Sequence, residues 1–270
     1  MANPTIGFIG YGNMAQAITE GLVNAGTISG NDIVACAAHY DKLERNAAKL
    51  GAKAVHTAAQ VAEAADVVVI AIKPYQIEAV ISPIVDKLAQ PNTIVVSIAA
   101  GWDLNKFHDL FGTSFEQAHI QCTIPNTPMA VGKGVLVTEI DNTLTQEQTE
   151  TFESLFSSIS LIERVDTAHM GIGMCIAGCA PAFTDMYIEA LGDAGVKYGL
   201  QRATRVSSGR QNGGRRGCAL FGRRNASGCH ERRCLLSRGH HHQGCRIVGG
   251  KRVPWCRDQS GRRHRSLILS

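Results

Sequence analysis

Apolar residues in the first part of the chain gather into short continuous runs at residues 5–9, 32–37, 66–72 and 93–98. The third reads DVVVIAI, with no polar residue after its first position. Continuous runs of this length suit parallel strands buried on both faces, whereas half-exposed strands alternate. Between the runs the pattern changes period. Ala17, Ile18, Gly21, Leu22 and Val23 recur at helical spacing, residues 41–50 read as a helix, and residues 76–89 are amphipathic. Strand and helix in alternation predict an α/β domain with a doubly wound, Rossmann-type parallel sheet. After Gly101 comes an amphipathic stretch. Ile124-Pro125-Asn126-Thr127-Pro128 then predicts a stiff turn that no helix can cross. Thr145 and Gln148 form a capping box at the head of a helix over 145–156, and a last strand is expected at 160–165. From Asp166 small and apolar residues dominate, with helical spacing through Phe183, Met186, Tyr187, Ala190 and Leu191. This marks the start of an all-helical second domain. No apolar run reaches the ~20 residues of a membrane helix, and no signal peptide is read, so a cytoplasmic protein without a membrane partner is expected.

Charge divides the chain more sharply than hydropathy does. The 270 residues carry a net charge of +4, but the balance is −10 through Thr204 and +14 from Arg205 onward. The last 66 residues hold 15 of the 18 arginines and five of the nine cysteines. The expected organisation is therefore a dinucleotide-binding domain at 1–165, the beginning of a helical domain at 166–204, and a basic tail at 205–270. The odd cysteine count and irregular spacing argue against a disulfide framework.

Candidate chemistry begins at the end of the first strand. Gly10-Tyr11-Gly12-Asn13-Met14-Ala15 matches the Gly-x-Gly-x-x-Ala form of a dinucleotide-binding loop, between a strand and a helix as that motif requires. Gly10 permits the tight turn, Gly12 lets the backbone approach a pyrophosphate, and Ala15 allows close helix–strand packing. The helix N-terminus presents its free N–H groups to the phosphates. Ligands of such a sheet bind at the carboxyl ends of the strands, where Gly10, Lys73 and Ala99 all fall. The segment Ala-Cys-Ala-Ala-His-Tyr-Asp-Lys at the second strand's end places no carboxylate where NAD enzymes hold the ribose hydroxyls. Asp32 precedes that strand instead. NADP is thus the expected cofactor, with NAD as the alternative: His39 and Lys42 are available to a 2′-phosphate, but Asp41 lies beside them and makes the preference weak. Cys179 has no basic neighbour to activate it and reads as a small buried residue.

The segments GFIGYGNMAQAI, AIKP, VSIAAG, IPNTP and AGCAPAF follow one another in this order. Together they resemble the pyrroline-5-carboxylate reductase family over residues 5–204. The resemblance implies reduction of 1-pyrroline-5-carboxylate to L-proline with NADPH or NADH, the last step of proline biosynthesis. It also implies a helical dimerisation domain and hence a homo-oligomer. By similarity, Ile9, Gly10, Tyr11, Gly12, Asn13 and Met14 hold the cofactor phosphates. Ala71, Ile72, Lys73 and Pro74, with Ile98, Ala99 and Ala100, line the path to the nicotinamide. The chain departs from the family at Cys122, where many members carry Arg, and at Ile124, where Met is usual.

The resemblance also implies a continuation close to G-A-M-K-D-x-V-C-S-P-G-G-T-T-I, whose hydroxyls hold the substrate. None is present in frame, so no catalytic residue is assigned. The genetic code accounts for the gap. His240-His241-His242 read one base later permits Thr-Thr-Ile, and permitted codons over 228–243 yield G-A-M-K-D-A-V-C-S-P-G-G-T-T-I-K. The tail is read as an out-of-frame translation that begins near Thr204, and this chain is expected to be inactive and its tail irregular. As rival functions, nonspecific nucleic-acid binding by the arginines and metal binding by the tail's Cys and His residues are set aside, because no paired ligand spacing is found. Two other readings remain for the whole chain. A hydroxy-acid dehydrogenase would need a catalytic Lys, for which Lys197 is the only candidate. The other is a nonenzymatic nucleotide-binding protein.

Overall fold

The computed structural model describes residues 4–199. The expectations for the tail at 205–270 lie outside the described residues. The chain divides into two compact units, Met1–Pro181 and Ala182–Ser270.

The first unit is an eight-stranded sheet in the order β3-β2-β1-β4-β5-β6-β7-β8. Its strands are β1 Ile6–Ile9, β2 Ile33–Cys36, β3 Lys53–Val55, β4 Val67–Ile70, β5 Ile94–Ser97, β6 His119–Pro125, β7 Gly134–Glu139 and β8 Ser160–Val165. Strands β1 to β6 run parallel, β7 pairs antiparallel with β6, and β8 returns parallel to β7. The helices are α1 Asn13–Asn24, α2 Tyr40–Ala48, α3 Ala58–Ala64, α4 Ile77–Ile81, α5 Val85–Leu88, α6 Leu104–Phe111, α7 Gln146–Ser157, α8 Met170–Gly173 and α9 Ala180–Lys197. This is the doubly wound arrangement that the alternating runs imply.

The pleat explains why the central runs are apolar throughout. In β4, Val67 and Val69 enter one core with Phe8, Ile18 and Leu22, while Val68 and Ile70 enter another with Ile77, Ile81 and Phe107. β4 is covered on both faces and carries Val or Ile at every position, while the buried polar residues of the sheet, Ser97, Gln121, Thr123, Thr138 and Glu139, fall in β5, β6 and β7. Each buried Val or Ile contributes about 1.5–3 kcal/mol of burial.

Local chemistry sets several boundaries. Thr145 and Gln148 exchange both capping-box hydrogen bonds at the head of α7. Asp103 caps α6 by accepting from Lys106 N at 3.0 Å. The single amphipathic helix expected over 76–89 is instead broken into α4, a 3-10 turn Ser82–Ile84, and α5. Pro83 lacks an N–H and its ring crowds the preceding turn, which explains the break. The turn expected at 124–128 is also corrected. Ile124 and Pro125 complete β6, and a 3-10 helix occupies Thr127–Val131 with Pro128 in its first turn. Proline is tolerated there because the N–H it lacks would have no helical partner. Strand β3 has no distinct sequence signal, whereas β7 carries the run Val135-Leu136-Val137 and α3 opens on a Thr57–Gln60 capping box like that of α7, two signals missed in the sequence.

Helix α1 packs against the Thr127–Val131 turn through Gly21. A Cβ on Gly21 would stand 2.2 Å from the Met129 carbonyl oxygen. Gly21→Ala is therefore expected to lower stability by about 1–3 kcal/mol, seen as a fall in Tm by thermal circular dichroism. An unchanged Tm would show that the two elements slide apart freely.

Beyond β8, α8 leads into a π-turn at Met174–Gly178 and then α9. The helical run Thr167–Lys197 has a mean hydropathy of 1.2 in its most apolar window, so one segment does meet the length and composition of a membrane span. This corrects the expectation that none approaches it. Gly, Ala, Cys and Met count toward the window although they form no continuous apolar stretch. In the second unit, Phe183, Met186 and Tyr187 of α9 are exposed among the described residues.

Candidate functional site at the carboxyl ends of the strands

The sheet register brings Ile9, Ile70 and Ser97 side by side. The segments that leave these strands are stitched together by backbone hydrogen bonds. Gly10 N donates to Cys36 O at 2.9 Å, Ala71 N to Ile9 O at 2.8 Å, and Ile98 N to Ile70 O at 3.2 Å. Three segments far apart in sequence thus form one rim.

Gly10 has φ +95°, and a Cβ there would lie 2.7 Å from Ala71 O. Both facts demand glycine. Gly12 differs. Its φ is −79°, it is exposed, and a Cβ would meet nothing within 4 Å. The protein leaves that space open. Gly12 is also the N-cap of α1, so no side chain caps the helix, and its first turn carries no acidic residue. Uncapped N–H groups at a helix start, facing open space, fit an anionic pyrophosphate.

The remaining expected site residues divide by orientation. Asn13 is exposed and Met14 half-buried. Ile9 and Tyr11 are buried, and the Tyr11 ring packs edge-on against Phe8 at 5.9 Å. These two can meet a ligand only through their backbone. Burial pushes the Tyr11 phenol up, against an opposing effect of the Thr19 hydroxyl. Neither hydroxyl has a partner at hydrogen-bond geometry. Ala71, Ile72, Pro74 and Ile98 are half-buried, Ala99 is buried, and Lys73 and Ala100 are exposed. Trp102 Nε1 donates to Pro74 O at 3.1 Å, tying the loop after β5 to the loop after β4.

At the end of β2, Ala37, Ala38 and His39 lead into α2, with His39, Asp41 and Lys42 exposed. Asp32 lies in a 3-10 turn before β2, at the opposite end of the strand, about 13 Å of extended chain away. His56, which has no sequence motif around it, stacks on Tyr40 at 4.0 Å and 17°.

Two expected motifs meet at Asn126. Its Oδ1 accepts from Val135 N at 2.8 Å and its Nδ2 donates to Ala177 O at 3.0 Å, so IPNTP is bonded to the π-turn that precedes Cys179. Cys179 is half-buried rather than fully buried. Lys197 ends α9, in the second unit.

Glu139 was missed altogether in the sequence, because a single acidic residue at a strand end is not distinctive. It is completely buried. It lies beside Cys122, whose thiol is pushed up mainly by burial and further by the Glu139 charge. Cys36 is raised by burial as well. A thiol raised in the folded state keeps its proton at a pH where the unfolded chain has already lost it. Stability is then intact below the ordinary thiol range and falls as pH rises through it. Denaturant midpoints measured at increasing alkaline pH are expected to decline, and Cys122→Ala to decline less steeply. Parallel curves would exclude Cys122 as a source.

The parallel sheet, the open glycine rim and the uncapped helix define a nucleotide-dependent oxidoreductase of the Rossmann class. A family model described as "NADP oxidoreductase coenzyme F420-dependent" matches residues 5–101. The chain is 35% identical over 199 residues to a pyrroline-5-carboxylate reductase of Treponema pallidum, covering 73% of this chain and 74% of that protein. The chain belongs to the pyrroline-5-carboxylate reductase family. A pyrroline-5-carboxylate reductase structure from Coxiella burnetii superposes with TM-score 0.79 at 27% identity, over 92% of this chain and 91% of that one. The Plasmodium falciparum pyrroline carboxylate reductase, solved with NADP bound, gives TM-score 0.78 at 23% identity over 92% and 90% of the two chains and shares the fold.

Proposed function

We propose that this chain derives from an NADPH-dependent reductase of 1-pyrroline-5-carboxylate and keeps that enzyme's cofactor site. Family membership carries the reading, and the open rim at Gly12 supports it. The bound nicotinamide would supply hydride to the C=N carbon of the cyclic imine. The residues of this chain do the rest. The N–H groups at Gly12, Asn13 and Met14 take the pyrophosphate, with Gly10 and the backbone of Ile9 and Tyr11 shaping the turn. Ala71, Ile72, Lys73 and Pro74 form one wall of the path to the nicotinamide, and Ile98, Ala99 and Ala100 the other. NADP is preferred over NAD because no carboxylate stands at the end of β2 itself, while His39 and Lys42 are exposed nearby; the exposed Asp41 between them opposes a 2′-phosphate and keeps the preference small. The helical segment from Asp166 onward belongs to a dimerisation domain, and the protein acts in the cytoplasm.

The substrate half is not encoded in frame. Residues 205–270 are read as the family's C-terminal region translated out of register, so this chain binds nucleotide without turnover. Sequencing the gene around codon 204 tests the frame. Titration of the chain with NADPH, followed by fluorescence, tests the site. Absence of saturable binding would contradict the proposal.

A further inference from the structure

A buried carboxylate needs a reason. Glu139 is fully shielded from solvent, and among the described residues no Lys, Arg or His forms an ion pair with it. Such a group is strongly unfavourable unless hydrogen bonds satisfy it. The bonds Glu139 does make are specific. Its Oε2 accepts from Leu104 N at 3.1 Å and its Oε1 from the Thr167 hydroxyl at 2.5 Å. Its backbone carbonyl accepts from Gln121 Nε2 at 2.8 Å, which anchors the strand end itself.

Leu104 N is the first amide of α6, at the end of the loop that begins with Ile98. The loop is strapped at other points too. Ser97 Oγ accepts from Ala99 N at 3.3 Å, and Trp102 reaches across to Pro74. Between the straps lies Gly101, with φ +77° and open space where a Cβ would stand. Its carbonyl accepts from Lys106 Nζ and Trp102 beyond it keeps its own tie to Pro74, so the bond to Leu104 N fixes the last step of the loop into α6. Thr167 opens the helical run that continues to Lys197. One carboxylate thus holds the loop after β5 and the root of the following helices at the same point.

We infer that Glu139 is a positioning residue, which holds the 98–103 loop at the height the nicotinamide half of the cofactor requires. The inference rests on the proposed assignment of Ile98, Ala99 and Ala100 to the nicotinamide path. Glu139 itself touches no cofactor. It acts on the loop through Leu104 N, the Thr167 hydroxyl fixes the carboxylate that accepts that bond, and the pyrophosphate rim on α1 is untouched.

The test uses the full chain and two probes, NADPH and 2′,5′-ADP, which carries only the adenosine half. Glu139→Met keeps the length of the side chain but offers neither Leu104 N nor the Thr167 hydroxyl an oxygen acceptor, so both straps are lost. It is expected to raise the Kd for NADPH about tenfold. Its Kd for 2′,5′-ADP is expected to stay within about twofold. Thr167→Val removes one donor, leaves the strap to Leu104, and is expected to raise the NADPH Kd about threefold. A folded Glu139→Met protein that binds both probes as the parent does overturns the inference. So does equal weakening of both probes, which would reflect general loosening. If Glu139→Met does not fold, the same comparison on Thr167→Val decides, with an unchanged NADPH Kd overturning the inference. Gly12→Val separates this from the underlying site assignment. It is expected to weaken both probes, and if it weakens neither, the cofactor site assignment falls first.

Discussion

Turnover of 1-pyrroline-5-carboxylate by this chain is expected to be indistinguishable from background, even with saturating NADPH. The reason is positional. Hydride transfer to a C=N carbon requires the imine to be held against the nicotinamide with its nitrogen hydrogen-bonded or protonated. Orientation of this kind accounts for ~7–11 kcal/mol of barrier lowering in favourable cases. On the proposed reading, the segment that would hold the substrate, S-P-G-G-T-T, is permitted by the codons of residues 228–243 only one base out of register. A single-base change near codon 204 that restores the family's frame is expected to recover dimerisation, seen by sedimentation, and NADPH oxidation with the pyrroline substrate. Equal rates from the original and repaired chains would place the catalytic groups before Arg205 and refute the out-of-frame reading.

Gly12→Val is expected to abolish nucleotide binding while leaving the fold intact. The two halves of this expectation have separate causes. Gly12 has an ordinary negative φ and no neighbour within 4 Å of a Cβ, so the protein itself accommodates a side chain. The same open space is where a pyrophosphate approaches the N-terminus of α1. A branched side chain there excludes the phosphates from the uncapped N–H groups. A loss of at least ~3 kcal/mol, about a hundredfold or more in Kd, is expected. Fluorescence titration with NADPH reads the affinity, and thermal circular dichroism reads the fold. Gly10→Val makes the contrasting control. Its φ of +95° and its 2.7 Å approach to Ala71 O predict loss of stability as well as loss of binding. Equal behaviour of the two variants would mean that Gly12 serves the fold alone.

The sequence by itself determined whatever depends on near neighbours in the chain. The runs at 5–9, 66–72 and 93–98 became β1, β4 and β5 because strands buried on both faces are apolar nearly throughout, Ser97 at the end of β5 being the polar exception among the three. The glycine loop was legible because a strand, a positive-φ turn and a helix N-terminus are contiguous. The Thr145–Gln148 capping box is likewise confined to four residues. Even the break at Arg205 is a matter of local composition.

Tertiary structure alone decided what depends on distant partners. Strand β3, Lys-Ala-Val, carries no run of its own and exists through pairing with β2. The Tyr11 side chain lies inside because Phe8 and the α1 core receive it, which no spacing rule around Gly10 could indicate. Asn126 acquires its meaning from Ala177, and Glu139 from Leu104 and Thr167. Such pairs are invisible in the chain because a hydrogen bond reads distance in space, and only the assembled sheet brings β7, the loop after β5 and the root of α8 to one point.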